Sequence, residues 1–178
     1  MIVFAIDPGF AATGVVVYDV KDGEILTSRT IRTAPSPNKK QLRVADDDFE
    51  RLRYTAGELV GIMREYPKPW LVLFEMPTGG ARSSRAVRSM SLITGVLAGV
   101  LTAMDIPYEA YTPVECKLAA CGNRNAGKGD VEKGVIKYFE TYNKWSKKKA
   151  DREHAIDAGS VLICALKSSP VLKFFKGD

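Results

Sequence analysis

The order of apolar and polar positions along the chain predicts alternating strands and helices, which is an α/β fold. Strands are predicted near residues 2–7, 13–20, 24–32, 70–74 and 107–111, and those at 2–6 and 70–74 are nearly continuous apolar runs. Segments with helical periodicity lie near residues 42–66, 84–104, 127–141 and 152–167, and a short helical stretch precedes Gly122. Continuous apolar runs are typical of strands that are covered by helices on both faces of a sheet.

The periodicity also predicts which helix faces are buried. In the first helix the expected core residues are Phe49, Leu52, Ala56, Leu59, Val60 and Met63. In the second they are Val87, Leu92, Val96, Val100 and Leu101, and Gly95 and Gly99 lie four residues apart. Glycines at this spacing allow another helix, from the same chain or from a second copy, to approach closely.

Two acidic residues occupy matching positions at strand ends. The run from Ile2 to Ile6 ends in Asp7 and the turn Pro8-Gly9, and the run at 70–74 ends in Glu75. A carboxylate at the end of a buried strand is costly unless a cation or a set of N–H donors compensates its charge. The pattern therefore predicts that a positive group lies near both acids.

A third acidic site lies near the C-terminus, in the segment DREHAIDAG. His154 and Asp157 are three residues apart and share one helix face, and Asp151 extends this row by one step. The pair could be His154 with Asp157, which we prefer, or Asp151 with His154. Carboxylates and one imidazole form a ligand set that suits Mg²⁺ or Mn²⁺.

Each of these residues also has a structural interpretation. Asp7 could stabilise the Pro8-Gly9 turn, Glu75 could mark the end of a strand, and a lone histidine is more often structural than catalytic. These interpretations do not explain why the acids occur in matched settings. We therefore favour a metal site.

Four segments resemble the RuvC family of Holliday junction resolvases, which belongs to the RNase H-like superfamily. The matching motifs are AIDPG followed by TG, then LFEMP and HAIDAG, and residues 111–131 match in Pro113, Lys117, Gly122, Lys128 and Val131. The resemblance covers nearly the whole chain. It implies a single nuclease domain over 1–178, with a five-stranded mixed sheet flanked by helices.

The resemblance also implies how the site works. Asp7, Glu75 and Asp157, with His154, would bind two Mg²⁺ or Mn²⁺ ions for phosphodiester hydrolysis that leaves a 5′ phosphate. Some relatives have aspartate where this chain has His154, and a nitrogen ligand favours ions such as Mn²⁺. In the alternative register Asp151 completes the site.

Basic residues flank the acidic segments and predict binding to a phosphate backbone. Arg82, Arg85 and Arg88 follow Glu75 at helical spacing, while Lys147 and Lys148 precede the third acidic site. Lys117 and Lys128 are the two basic residues among the matching positions of the 111–131 segment. The expected partners are four-way or branched DNA and a second copy of the chain, because a symmetric dimer matches the two-fold character of a junction.

Composition limits the other classes. The chain has 178 residues and a net charge of +5, and its three cysteines lack zinc-binding spacing. We expect a cytoplasmic protein (in the host cytoplasm if the source is a virus) with reduced thiols and no segment long enough to cross a membrane.

The remaining alternatives are an RNase H-like nuclease that acts on RNA precursors, a non-catalytic junction-binding protein and an actin-like phosphate-binding domain. Residues 122–128 satisfy G-x4-G-K, but Gly129 stands where a nucleotide-binding loop needs Ser or Thr. No nucleotide cofactor is expected.

Overall fold

The computed structural model describes residues 1–37, 42–76, 83–141 and 143–176. The strands are β1 (Ile2–Asp7), β2 (Ala12–Asp19), β3 (Glu24–Arg32), β4 (Leu71–Glu75) and β5 (Tyr108–Tyr111). The helices are α1 (Val44–Arg64), α2 (Ser84–Ala103), α3 (Pro113–Cys121), α4 (Lys128–Phe139), α5 (Lys149–Ser168) and α6 (Pro170–Lys176).

The strands form one mixed sheet in the order β3-β2-β1-β4-β5. β1, β2 and β3 are antiparallel neighbours, whereas β4 pairs parallel to β1 and β5 parallel to β4. The predicted five-stranded mixed sheet flanked by helices is therefore confirmed. Because β1 and β4 run in the same direction, Asp7 and Glu75 end neighbouring strands at the same edge.

The central strand is buried on both faces, as its continuous apolar run predicts. Val3 and Ala5 face a core shared with α3, α4 and α5, while Ile2, Phe4 and Ile6 face a second core shared with α1 and α2. Successive side chains of a strand point to opposite faces, so one strand supplies both cores. This burial leaves the end of the strand as the place where polar groups can reach solvent.

The α5 helix is buried along most of its length. Ile156, Val161, Leu162, Ile163, Ala165, Leu166 and Cys164 are all buried. The helix begins at Lys149, three residues before the predicted start at residue 152, and packs on β1 and β2. Its first turns therefore lie beside the end of β1.

The predicted faces of α1 and α2 are partly wrong. Phe49 is exposed, and the buried residue beside it is Asp48. Arg88 Nη2 donates to Asp48 Oδ2 at 2.5 Å, so an ion pair joins the two helices at the position where Phe49 was expected to be buried. In α2 the buried residues are Ile93, Leu97 and Leu101, one position away from most of the predicted set.

The structure contains two helices for which the sequence prediction gives no bounds. α3 was expected only as an unbounded helical stretch, and α6 was not expected. The start of α3 has a clear signal, because Thr112 and Glu115 form a reciprocal capping box around Pro113. Pro is favoured in the first turn, where its missing N–H has no partner to lose.

The α2 helix also corrects the expectation about membrane length. In the described part of the chain it is the one helix that is long and apolar enough to cross a membrane, by length and composition only. Three of its twenty residues are buried. A large part of this apolar helix therefore lies open on the surface.

Candidate active site

The turn after β1 holds Asp7 at the sheet edge. Thr13 Oγ1 donates to the Gly9 carbonyl oxygen at 2.9 Å, which closes the turn. Asp7 is paired with Gly14 across the β1–β2 ladder. The polar end of β1 is thus fixed by both strands of the hairpin.

A second set of contacts holds this turn from α1. The Arg51 guanidinium lies over the Phe10 ring at 4.3 Å and donates to the Phe10 carbonyl oxygen at 3.3 Å. It also donates to Thr33 Oγ1 at 3.0 Å, and Thr33 donates to the same Phe10 oxygen at 2.7 Å. The helical pattern of α1 gave no signal for this role of Arg51, because it reports only the apolar face.

The predicted metal-ligating side chains from β1 and α5 lie together. One ligand atom each of Asp7, His154 and Asp157 lies within 4.8 Å of the others. His154 Nδ1 is 3.3 Å from Asp7 Oδ2. The spacing of three residues places His154 and Asp157 on the α5 face that meets the end of β1.

Glu75 lies outside that group but shares a cavity with Asp157. The cavity has a volume of about 180 Å³ and is lined by Glu75, Cys116, Lys117, Lys128, Asp157 and neighbouring residues. Burial, followed by the nearby charges of Asp7 and Asp157, raises the pKa of Glu75 to about 8. The charge of Lys117 acts in the opposite direction.

Asp157, the second acid of this cavity, also has a raised pKa. Burial and the charge of Asp7 also raise the pKa of Asp157 to about 6, against opposing effects of Lys128 and His154. Carboxylates that are pushed toward their neutral form would be stabilised as anions by an added cation. Carboxylate oxygens with one imidazole nitrogen match the ligands that Mg²⁺ and Mn²⁺ accept.

Gly14 is the point where the sheet and α5 come closest. A Cβ atom at this position would lie 1.9 Å from the His154 carbonyl oxygen and 3.1 Å from the Ala155 nitrogen. Only glycine fits there without moving the backbone of α5. A glycine within a strand pattern signals such a close approach, so the sequence contained this information.

Asp151, the alternative site residue, points elsewhere. Its carboxylate accepts a short hydrogen bond from Arg32 and lies 3.7 Å from Lys148 Nζ. Thr30 donates to the Asp151 carbonyl oxygen at 2.7 Å. These contacts attach the first turn of α5 to β3 and leave Asp151 outside the group of Asp7, His154 and Asp157.

The predicted DNA-binding residues lie in different parts of the structure. Lys117 and Lys128 line the cavity of Glu75 and Asp157. Lys147 and Lys148 are exposed before α5, whereas Arg88 is engaged with Asp48 and Arg85 lines a separate cavity near Ser36. Arg82 lies outside the described residues.

The glycines of the G-x4-G-K segment end one helix and begin another. Gly122 adopts a left-handed backbone conformation with φ of 73° at the end of α3, and Gly127 is the N-cap of α4. The segment therefore joins two helices, whereas a nucleotide-binding loop follows a strand.

Comparisons with known proteins give a consistent result. The chain is 31% identical over 139 residues to the crossover junction endodeoxyribonuclease RuvC of Prochlorococcus marinus, covering 77% of this chain and 82% of the relative. It is 29% identical over 178 residues to RuvC of Syntrophomonas wolfei, covering 100% of this chain and 95% of the relative. The chain belongs to the RuvC family. No family model matches it.

The structural comparison shows that the RuvC fold extends over the chain. The structure of Thermus thermophilus RuvC in complex with a Holliday junction substrate matches with a TM-score of 0.72 and 19% identity, covering 99% of this chain and 96% of that chain. The RuvC structure of the same organism matches with a TM-score of 0.71 and 20% identity, covering 99% of this chain and 97% of that chain. The fold is therefore RNase H-like, as expected.

We expect Gly14→Ala to disturb the site, because the new methyl group would overlap the α5 backbone. Overpacking of this kind costs about 1–3 kcal/mol in the free energy of unfolding and would separate His154 from Asp7. Urea unfolding and Mn²⁺ titration of the free protein measure the two effects. Gly57→Ala is the matched control, because nothing lies within 4 Å of a Cβ there; unchanged Mn²⁺ binding in Gly14→Ala would contradict the prediction.

We expect the metal-free protein to lose stability as pH rises. Folding raises the pKa values of Glu75 and Asp157 to about 8 and about 6, so the folded state binds more protons than the unfolded state in this range. Stability then falls with pH, by several kcal/mol at most between about pH 4 and pH 8, because each unit of raised pKa corresponds to about 1.4 kcal/mol.

Urea unfolding in the presence of a chelator measures this slope. Glu75→Gln should flatten it, and added Mg²⁺ should stabilise the wild-type protein more at high pH than at low pH. An equal slope in Glu75→Gln would show that the carboxyl of Glu75 is not its source.

Proposed function

We propose that this protein is a metal-dependent endonuclease that resolves Holliday junctions by paired, symmetric nicks, and that 1–178 acts as a single nuclease domain in the cytoplasm. The observation that carries the proposal is the convergence of Asp7, His154 and Asp157 beside the cavity of Glu75. Membership of the RuvC family supports the same reaction class. A Thermus thermophilus relative has been seen with a Holliday junction substrate.

Asp7, Glu75, His154 and Asp157 would hold two Mg²⁺ or Mn²⁺ ions. Such ions lower the pKa of a bound water and stabilise the leaving oxygen of a phosphodiester. The raised pKa values of Glu75 and Asp157 support this assignment, because an uncompensated group of carboxylates favours cation binding.

The lysines of the cavity supply the other half of the site. Lys117 and Lys128 would bind the non-bridging oxygens of the scissile phosphate and so keep it beside the carboxylates. Each also offsets one acid, since Lys117 lowers the pKa of Glu75 and Lys128 that of Asp157. Lys147 and Lys148, exposed before α5, would contact phosphates farther from the cut.

The open side of α2 supports a homodimer. Val87 and Met90 are exposed, and among the described residues nothing lies within 4 Å of a Cβ placed on Gly95 or Gly99. Within the described part of the chain, those glycines therefore do not serve close packing. A second copy crossing at α2 would cover the apolar surface and form a symmetric interface, which suits a two-fold junction.

We expect Asp7→Asn to abolish cleavage while junction binding persists. The loss of one anionic ligand should reduce the rate by at least about a thousandfold. The assay uses a labelled four-way junction, a matched duplex and an RNA–DNA hybrid with Mg²⁺ or Mn²⁺.

Asp151→Asn is the control for this experiment, since Asp151 is held by Arg32 and Lys148. It should cleave within about threefold of the wild-type rate. Cleavage of the RNA–DNA hybrid alone would indicate that the protein acts on RNA and not on junction DNA. Binding of the junction without cleavage by the wild-type protein would indicate a non-catalytic role, and full activity of Asp7→Asn would refute the assigned site.

We expect the chain to be dimeric at micromolar concentration and Gly99→Lys to be monomeric, because a charged side chain would be buried at the crossing of two α2 helices. Sedimentation velocity measures both states. Gly61→Lys places the same side chain on an open position of α1 and should stay dimeric. A monomeric wild-type protein, or a dimeric Gly99→Lys, would exclude this interface.

A further inference from the structure

An ion pair lies at the mouth of the cavity that contains Glu75 and Asp157, and the sequence did not predict it. Lys128 Nζ, at the start of α4, lies 3.3 Å from Glu153 Oε2 in the first turns of α5. Glu153 directly precedes His154. The pair therefore joins one of the proposed phosphate-binding lysines to the helix that carries two proposed metal ligands.

Lys128 shares a cavity with two carboxylates of the same helix face. Glu153 and Asp157 are four residues apart, and both line a second cavity of about 160 Å³ with Lys128 and Glu132. Lys128 and Asp157 also line the cavity that contains Glu75. The Lys128 ammonium group can therefore pair with either of two carboxylates, Glu153 at the mouth of the cavity or Asp157 deeper inside it.

The two choices have opposite consequences for the site. An ammonium group that moved onto Asp157 would occupy a carboxylate that a divalent cation needs. An ammonium group held by Glu153 uses one of its N–H donors there and keeps the others free for a phosphate. The observed 3.3 Å contact is the second arrangement.

We propose that Glu153 is a positioning residue, which holds the Lys128 ammonium at the mouth of the cavity toward the incoming phosphate and away from Asp157. The inference rests on the proposed function, because it assigns Lys128 to the phosphate and Asp157 to the cation. It adds a residue that neither the motifs nor the group of candidate ligands includes.

The competing explanation is that the pair only fastens α4 to α5. A neighbouring ion pair does this from the same turn, since Arg152 Nε lies 2.8 Å from Glu132 Oε1. Partly exposed ion pairs contribute little to stability, so the loss of either pair should leave the protein folded. Glu132→Gln is therefore the matched control for Glu153→Gln.

The test is a double-mutant cycle of Glu153→Gln and Lys128→Met with two readouts. The first is the single-turnover cleavage rate of a saturating four-way junction. The second is Mn²⁺ binding to the free protein, followed by calorimetry, which does not require activity. A cycle separates the effect that Glu153 has through Lys128 from any effect of its own charge.

We expect Glu153→Gln to slow cleavage about tenfold and to weaken Mn²⁺ binding several-fold, because Lys128 leaves the phosphate and competes at Asp157. In the Lys128→Met background the same substitution should change neither value by more than about twofold. Glu153→Asp should recover part of the loss, and Glu132→Gln should resemble the wild-type protein.

Three results would overturn the proposal. Equal effects of Glu153→Gln in both backgrounds would mean that its charge acts on the cation directly. If Glu153→Gln had no effect in the wild-type background, Glu153 would have no positioning role. The same would follow if Glu132→Gln lost as much cleavage and Mn²⁺ binding as Glu153→Gln. A wild-type protein that cleaves no junction would refute the proposed function instead, and the Mn²⁺-binding cycle would still decide whether Glu153 keeps Lys128 away from Asp157.

Discussion

The contact between the backbone of Gly14 and that of His154 is the constraint on which the site depends. The hairpin of β1 and β2 fixes Asp7 opposite Gly14, and the missing side chain of Gly14 lets α5 lie directly on the sheet. His154 and Asp157 reach the end of β1 because the helix is that close. The hydrophobic effect holds α5 against the sheet, because most of the helix is buried.

This packing brings together groups that repel one another. Asp7, Glu75 and Asp157 share a site, and burial together with repulsion from neighbouring carboxylates raises the pKa values of Glu75 and Asp157. The lysines at the cavity reduce the repulsion without removing it. The carboxylates at the sheet edge thus destabilise the fold, and the two apolar cores stabilise it, which is a common arrangement at functional sites.

The sequence was sufficient where one signal dominates. Long apolar runs located β1, β2 and β4, and the spacing of His154 and Asp157 placed them correctly on one helix face. It failed where a polar residue is buried by a distant partner, because Asp48 looks like a surface acid until Arg88 is seen beside it. It also could not relate Lys128 to Glu153, since their contact depends on how two helices pack and not on either helix alone.

The α1 helix has two attachments that lie three residues apart on one face. Asp48 binds Arg88 on α2, and Arg51 holds the turn that follows Asp7. Through these two contacts α1 connects α2 to the turn beside the acids. In the proposed dimer joined through α2, each proposed active site would then be connected to the dimer interface by way of α1, and the two proposed incisions would depend on one another through that interface.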